Sequence, residues 1–493
     1  MFKAIERADA YPSAVAVISG ERSYSYADLM RSSDGFAMLL LEGREDLCEA
    51  RVAFMVDPGF EYVAVQWGIW KAGGVAVPLC TSHPLPSLEY VLDDTQAAFV
   101  VVSERYVPLL SAACGQRKIP LLTSSEQKLT DTVIRPVVGD DRRAMILYTS
   151  GTTSKPKGVV STHAALNAQV STLTEAWRWT AADRILCVLP LHHVHGIVNV
   201  VGCALWSGAT CRFIGDFSAE EVFRTFLSGE VNLFMAVPTI YFKLIAHWES
   251  CPEAERLALT AGMEKFRLMV CGSAALPVSV MEKWKTVSGH TLLERYGMTE
   301  IGMAISNPYE GERRAGSVGL PLPGVAVRLV DDTFSDIPHG EPGEILVKGD
   351  NVFREYWQRP EATGEAFTPD GWFKTGDVAV VENGYYRILG RKSVDIIKSG
   401  GYKISALEIE EILRTHPAIS DCAVTALPDA EWGELIVAAI VPGQVDPDIK
   451  ALNAWMRERM PSYKIPRRYL SLKELPRNAM GKVVKNELKK LFE

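Results

Sequence analysis

Short apolar runs recur down this chain, each long enough for one buried strand and too short for a helix. Examples are Arg51-Val-Ala-Phe-Met-Val56, Val75-Ala-Val-Pro78 and Ala98-Phe-Val-Val-Val102, followed later by Ile185–Val188, Val231–Ala236 and Arg267–Cys271. Between them lie amphipathic stretches of helical length, such as Glu61 to Gly73, which stops at Gly73-Gly74. A helix also begins in Ser23-Tyr-Ser-Tyr-Ala-Asp-Leu29, with Ser25 or Tyr26 near its cap. Strands that are apolar along their whole length are buried on both faces, and their alternation with helices predicts an α/β fold on parallel sheets. No internal repeat and no low-complexity segment interrupts the pattern.

Two changes of texture divide the chain. Near residue 320, Pro and Gly become frequent (Pro321, Pro323, Gly324, Pro338, Gly340, Pro342, Gly343) between short strands such as Val325–Leu329 and Glu344–Val347. This predicts a β-rich subdomain, 321–390, closed by Tyr385–Gly390, after an α/β part, 1–320. The polar run Arg391-Lys-Ser-Val-Asp395 then reads as a linker, and 396–493 as a separate small α+β unit. In that unit Ser405-Ala-Leu-Glu408 has the form of a capping box, followed by Leu407, Ile409, Ile412 and Leu413 at helical spacing. Strands at Asp421–Ala426 and Leu435–Val441, a helix near 448–460 and a basic tail complete it.

One loop suggests chemistry. The apolar run Ala144–Leu147 empties into Thr149, Ser150, Gly151, Thr152, Thr153 and Ser154, with Lys155 and Lys157 just beyond. Glycine lets backbone approach a ligand closely, and N–H and hydroxyl donors suit phosphate oxygens. The spacing is not that of a Walker loop, which needs Gly-x-x-x-x-Gly-Lys-Ser/Thr before a helix. A solvated surface turn has the same composition, so the loop alone names nothing.

Composition removes several classes. Lys plus Arg is 52 against 60 for Asp plus Glu, a mildly acidic balance that does not suggest a protein coating nucleic acid. The nine cysteines are scattered with no Cys-x-x-Cys, which fits reduced thiols in a cytoplasmic compartment. No signal-peptide pattern and no apolar run long enough to span a bilayer occurs. Oligomeric state is not encoded in any visible pattern.

The fourteen residues Leu147-Tyr-Thr-Ser-Gly-Thr-Thr-Ser-Lys-Pro-Lys-Gly-Val-Val160 resemble the signature loop of the adenylate-forming superfamily, which includes acyl- and aryl-CoA synthetases, luciferases and peptide-synthetase adenylation domains. Further matches follow in the family's order over nearly the whole chain. In Pro190-Leu-His-His-Val-His-Gly196 the resemblance puts His193 on the acyl pocket, with His192 where relatives commonly have Phe. Three histidines together also suit a metal cluster, but no second set with zinc spacing accompanies them. Cys271-Gly-Ser-Ala-Ala-Leu-Pro277 resembles the turn lying against adenine and the acyl group, through Gly272, Ser273 and Ala274.

In Glu294-Arg-Tyr-Gly-Met-Thr-Glu300 the resemblance gives Tyr296 and Gly297 to adenine, Thr299 to a phosphate and Glu300 to Mg²⁺. A carboxylate is what Mg²⁺ on a nucleotide takes from a protein. Gly371-Trp-Phe-Lys-Thr-Gly-Asp377 supplies Asp377 for the ribose hydroxyls and Leu389-Gly-Arg391 a second ribose contact; as bare sequence, Asp377 is equally an Asp turn. Relatives carry a hinge Asp or Lys two residues after this Arg, where this chain has Ser393. Ser399, Gly400, Gly401 and Tyr402 match the stretch lining the pantetheine tunnel. Pro476-Arg-Asn-Ala-Met-Gly-Lys482 matches the motif of the catalytic lysine, which makes Lys482 the candidate, although tail lysines are commonly just solvated.

The resemblance implies an ATP-dependent acid–thiol ligase with ATP, Mg²⁺ and coenzyme A, made of a large N-terminal domain, 1–390, and a small mobile C-terminal domain. Within the superfamily, 292–303, Ser306–Tyr309 and Ala315–Gly324 resemble malonyl-CoA synthetases more than long-chain or aryl ligases. Malonate, or methylmalonate, is therefore the expected acid. Its distal carboxylate needs a cation, for which Lys243 in Val237-Pro-Thr-Ile-Tyr-Phe-Lys243 is the expectation, with Arg313 and Arg314 as weaker candidates. Met298 and Met303 would wall the pocket. The rivals are a short-chain, medium-chain or aryl ligase of the same superfamily, and a non-catalytic nucleotide-binding protein on this fold.

Overall fold

A computed structural model describes residues 1–126, 136–149, 156–338, 340–443, 445–477 and 481–492. Its first large sheet has nine strands. A parallel run of Val15–Ser19, Thr210–Phe213, Arg184–Cys187, Leu233–Ala236, Leu268–Cys271 and Leu293–Met298 forms its body. Antiparallel strands close both edges: Arg22–Ser25 on one side, Gly302–Ser306 and Leu320–Pro321 on the other. These edge strands carry no periodic apolar signal of their own, which is why sequence reading passed over them. Each strand of the parallel body is short because its ends must meet helices on the sheet faces.

The second sheet has seven strands, with Arg51–Met55, Val75–Pro78, Phe99–Val102 and Leu121–Thr123 parallel. The apolar run at 144–147 belongs to a longer strand, Arg143–Thr149, that pairs antiparallel with Lys157–Thr162. The signature loop therefore closes a hairpin instead of opening a helix. Thr149 and Lys157 face each other across its base. Ser150, Gly151, Thr152 and Thr153 lie outside the described residues.

The helices Tyr26–Leu41 and Phe60–Lys71 pack on each other between the sheets, and Phe36, Trp67, Trp70 and Tyr62 are buried in one shared core. Ser25 caps the first of these with a complete capping box: its Oγ accepts the Asp28 N–H at 3.1 Å, and Asp28 accepts the Ser25 N–H at 2.9 Å. A cap of this kind stabilises a helix by about 1 kcal/mol.

A four-stranded antiparallel sheet follows, in the order Ala326–Val330, Gly343–Lys348, Phe373–Glu382, Tyr385–Arg391. Another sheet begins at Ile396–Ser399 and carries Tyr402–Ser405, Gly433–Pro442, Ile419–Asp429 and Arg468–Ser471. The expected capping box at Ser405 is half formed. Its Oγ accepts the Glu408 N–H at 3.2 Å, while the Glu408 carboxylate turns to Lys464 at 2.7 Å. No helix among the described residues is long and apolar enough to cross a membrane.

Candidate active site

Ligands of parallel α/β sheets bind beyond the carboxyl ends of the strands. Three motifs gather at that edge of the nine-stranded sheet. His192–His195 follows the strand Arg184–Cys187, Gly272–Ala274 follows Leu268–Cys271, and Tyr296–Glu300 ends Leu293–Met298. The four-stranded sheet brings Asp377 and Arg391 to the same place, directly opposite each other in register.

A tight polar group results. The Tyr296 hydroxyl donates to Asp377 Oδ2 at 2.6 Å, and Arg391 donates Nε to Asp377 Oδ1 at 2.9 Å and Nη2 to Oδ2 at 3.3 Å. Thr375 Oγ1 accepts the Asp377 N–H at 3.1 Å and fixes the carboxylate's root. Burial raises the Tyr296 phenol well above its ordinary pKa, helped by the Asp377 charge, so it stays a neutral donor. Asp377 is buried, a position in which a carboxylate needs such partners.

Glu300 is also buried, and desolvation raises its pKa despite the Tyr356 hydroxyl that donates to it at 3.0 Å. A buried carboxylate incompletely compensated by its neighbours is a fitting donor for a hard divalent cation. Thr299 precedes it in the turn. The Lys157 ammonium lies 5.0 Å from the centre of the Tyr356 ring, bringing the base of the signature hairpin beside Glu300.

Lys482 opens onto the same cleft. The residue is exposed by surface area, yet the protein crowding its ammonium lowers its pKa, the positive charges of Arg391 and Arg295 lower it further, and Asp377 and Glu300 partly oppose them. Gly481, at φ +74°, brings this segment against the N-terminal end of the helix Pro238–Ser250. A Cβ there would lie 2.7 Å from Thr239 Oγ1.

The acyl side of the cleft is lined by neutral histidines. Burial, with the Lys482 charge behind it, pushes His193 down to about 4; burial, with His193 and His83 nearby, pushes His192 down to about 2. His195 Nδ1 is 3.1 Å from Ser273 Oγ, and Arg295 Nη2 donates to the same Ser273 at 3.2 Å. Ser273 adopts φ +71°, a strained conformation for a non-glycine residue and one that turns its hydroxyl to these partners. Met303 is buried, with Met298 half-buried beside it. Gly297 leaves room for Met303, since a Cβ there would meet Met303 Cε at 2.6 Å.

Arg295 is the residue that sequence reading missed. It is buried, its Nε has no hydrogen-bond partner among the described residues, and Gly272 passes so close that a Cβ would sit 2.6 Å from its Cζ. Burial lowers its pKa to about 10, which leaves it charged at neutral pH. An Arg between a Glu and a Tyr in a motif gives no sequence signal of burial; only the close approach of Gly272 in the fold does.

Lys243 does not join this group. It is exposed on the helix Pro238–Ser250 with its ammonium 5.5 Å from the centre of the Phe217 ring, because Tyr241, Leu244 and Ile245 form the buried stripe. Those three residues are spaced i, i+3, i+4, so helical phase already turned Lys243 outward. Arg313 is also engaged elsewhere, donating to the carbonyls of Thr291 and Tyr309 at 2.8 and 3.0 Å, and Arg314 pairs with Glu312 at 2.9 Å.

The tunnel candidates form a hairpin tip. Ser399 pairs with Tyr402 across Gly400 and Gly401, at φ +56° and +84°, as a two-residue turn with positive φ at both positions requires. Its contacts are to its own sheet: the Gly400 N–H donates to the Trp432 carbonyl at 2.9 Å and Tyr402 stacks on Tyr463 at 4.3 Å.

The sequence matches the family described as AMP-binding enzyme over residues 5–357 and the AMP-binding enzyme C-terminal domain over 408–482. It is 46% identical to a mitochondrial malonate–CoA ligase, ACSF3, of Bos taurus, across 98% of this chain and 89% of that protein. Among solved structures, ATP-bound MatB from Rhodopseudomonas palustris superposes with a TM-score of 0.91 at 31% identity, covering 99% of this chain and 98% of the other. A malonyl-CoA ligase in a ternary product complex with methylmalonyl-CoA and AMP is 37% identical over 97% of this chain and 100% of that one, with a TM-score of 0.71.

Proposed function

The chain belongs to the AMP-binding enzyme family, and from that premise we propose how its residues carry out malonate–CoA ligation. The enzyme is an AMP-forming acid–thiol ligase that uses ATP, Mg²⁺ and coenzyme A. A carboxylate oxygen attacks the α-phosphate of ATP and pyrophosphate leaves; the CoA thiolate then attacks the acyl carbonyl and AMP leaves. Both partners of the first step are anions, so the site must offset charge growing at the α-phosphate, which fixed donors and cations in a dry cleft do best.

On this reading Asp377 and Arg391 hold the ribose, Tyr296 stacks on the adenine, and Gly272, Ser273, Ala274 and Gly297 border it. Thr299 and the hairpin from Thr149 to Lys157 hold the phosphates. Glu300 would hold Mg²⁺, which supplies further positive charge to the phosphate oxygens. Lys482 stands over the reacting carboxylate and α-phosphate, an assignment supported by the charges of Arg391, Asp377, Arg295 and Glu300 around its ammonium.

The choice of malonate rests above all on Arg295. A buried guanidinium with an unoccupied N–H, bordering the acyl pocket beside Ser273 and His195, is a place for a second carboxylate. The neutral histidines add donors without a competing charge, and Met298 and Met303 would wall the pocket. Lys243 has no part in this reading. Arg295→Met is expected to weaken malonate by about 1.5–3 kcal/mol, roughly ten- to 150-fold in KM, the range for a lost hydrogen bond to a charged group. Propionate should be affected far less, and Lys243→Met should leave both acids unchanged. Equal losses for the two acids in Arg295→Met would refute the role.

We further infer two bodies, 1–390 and 396–493, joined at 391–395, with the second turning between the steps. The higher likeness to an ATP-bound neighbour than to a more identical product complex supports the present arrangement as the one for adenylation. Ser399, Gly400, Gly401 and Tyr402 then wait for CoA until the second body turns. A cytoplasmic location is supported by nine free thiols, seven of them buried. The bovine relative is named mitochondrial, and cell fractionation distinguishes the two.

A further inference from the structure

A string of buried and half-buried charges runs behind Lys482 and takes no part in the chemistry above. Lys485 opens the helix Lys485–Lys490 three residues after Lys482, with its side chain buried. Its ammonium forms ion pairs with Asp395 Oδ1 at 2.5 Å and Glu410 Oε1 at 3.1 Å, neither of which has the angles of a hydrogen bond. Burial alone would lower its pKa, but the charges of Glu410 and Asp395 reverse the shift, so it stays an ammonium. The other oxygen of Asp395 accepts the backbone N–H of Arg391 at 2.9 Å, and the Arg391 carbonyl accepts the Asp395 N–H at 2.7 Å. The side chain of that same Arg391 grips Asp377. On the other side, Glu410 pairs with Arg414 at 3.1 Å and accepts the Val424 N–H at 2.8 Å. Arg414 also pairs with Glu411 at 3.3 Å, whose free oxygen accepts the Val278 N–H at 3.2 Å, reaching the helix Val278–Ser288 beyond the C-terminal sheet.

The tail that carries Lys482 is thereby fastened to the root of the linker. Leu488 anchors its helix on the C-terminal sheet with Ala423 and Val437, but that apolar contact does not fix the direction of the segment before it. The ion pair does, because it ties the first residue of the helix to the residue reading the Arg391 backbone. Resting on the adenylation reading above, we propose that Lys485 is a positioning residue for acyl-adenylate formation. It bridges Asp395 and Glu410 so that Lys482 points into the cleft only while the Arg391–Asp395 turn is closed. When the linker turns for the second step, the Arg391–Asp395 bonds open and the constraint no longer bears on the chemistry.

The two half-reactions separate this role from a merely structural one. With the full chain, Lys485→Met should lower malonate-dependent ATP–pyrophosphate exchange by about 100-fold, the cost of displacing a catalytic group by an ångström, while conversion of supplied malonyl-adenylate and CoA to thioester stays within about threefold. Lys485→Arg should recover most of the exchange. If Lys485→Met does not fold, Asp395→Asn keeps the Lys485–Glu410 pair, loosens the tie to the linker, and should show the same split. Equal loss in both half-reactions, or unchanged exchange, would overturn the proposal. Wild-type protein inactive on malonate but active on another acid would count against the substrate assignment, and the same split would then be read with that acid.

Discussion

Arg295 and its neighbour Glu294 occupy one strand and are both fully packed, yet their consequences differ. Burial pushes Glu294 up to about 8; the Leu276 N–H on one oxygen, at 3.2 Å, opposes this, and Glu411 across from it reinforces it. Its second oxygen has no hydrogen-bond partner among the described residues. A carboxyl held protonated in the fold but free to ionise when unfolded makes the folded state bind more protons, so this group's contribution to stability falls as pH rises from about 4.5 to about 8. Glu294→Gln should therefore gain thermal stability relative to the parent across that window and run parallel to it above. Parallel curves throughout would show that Glu294 is ionised in the fold.

At this scale the motifs made legible which residues meet: Tyr296, Asp377, Arg391 and Lys482 do converge. It was not legible where a role depends on what a side chain packs against. Arg295 and Lys243 differ for that reason: one cation is walled in by Gly272, the other rides on Phe217 at the surface.

Among the elements, the strand alternation in the first half was readable because strands covered on both faces are apolar throughout. The hairpin Arg143–Thr149 with Lys157–Thr162 was read as a strand before a free loop, since Lys155, Pro156 and Lys157 conceal the second strand's start. The edge strands and the half-formed cap at Ser405 depend on partners far along the chain, which local pattern does not carry. The segment before Lys482 has its own element-level test. Gly481→Ala adds a Cβ 2.7 Å from Thr239 Oγ1 at a backbone angle unfavourable to alanine. Stability should fall by about 1 kcal/mol, whereas pyrophosphate exchange should fall by about 100-fold through displacement of Lys482. Exchange that follows only the loss of stability would mean that the contact with Thr239 does not position the lysine.

At the scale of the whole molecule, on the proposed reading, a small C-terminal unit supplies the final cation, Lys482, to the cleft. On that reading only adenylation needs Lys482 in the cleft. Lys482→Ala should abolish adenylation and still convert supplied malonyl-adenylate to thioester, as expected if a turned C-terminal unit serves the second step. Normal adenylation by that variant would remove Lys482 from the mechanism. The proposed division into two bodies rests in sequence on the polar run 391–395 and the change of texture near 320; the ion-pair string from Asp395 through Glu410 to Lys485 leaves no such sign, because its members lie at positions 395, 410, 411, 414 and 485.

The most direct test offers the wild-type enzyme ATP, Mg²⁺, CoA and equal concentrations of malonate, methylmalonate, acetate, butyrate and benzoate, and identifies the CoA thioesters by mass while AMP is counted. Malonyl-CoA is expected to dominate, with methylmalonyl-CoA second and one AMP formed per thioester. Acetyl-, butyryl- or benzoyl-CoA as the main product would contradict the account of a pocket built around Arg295.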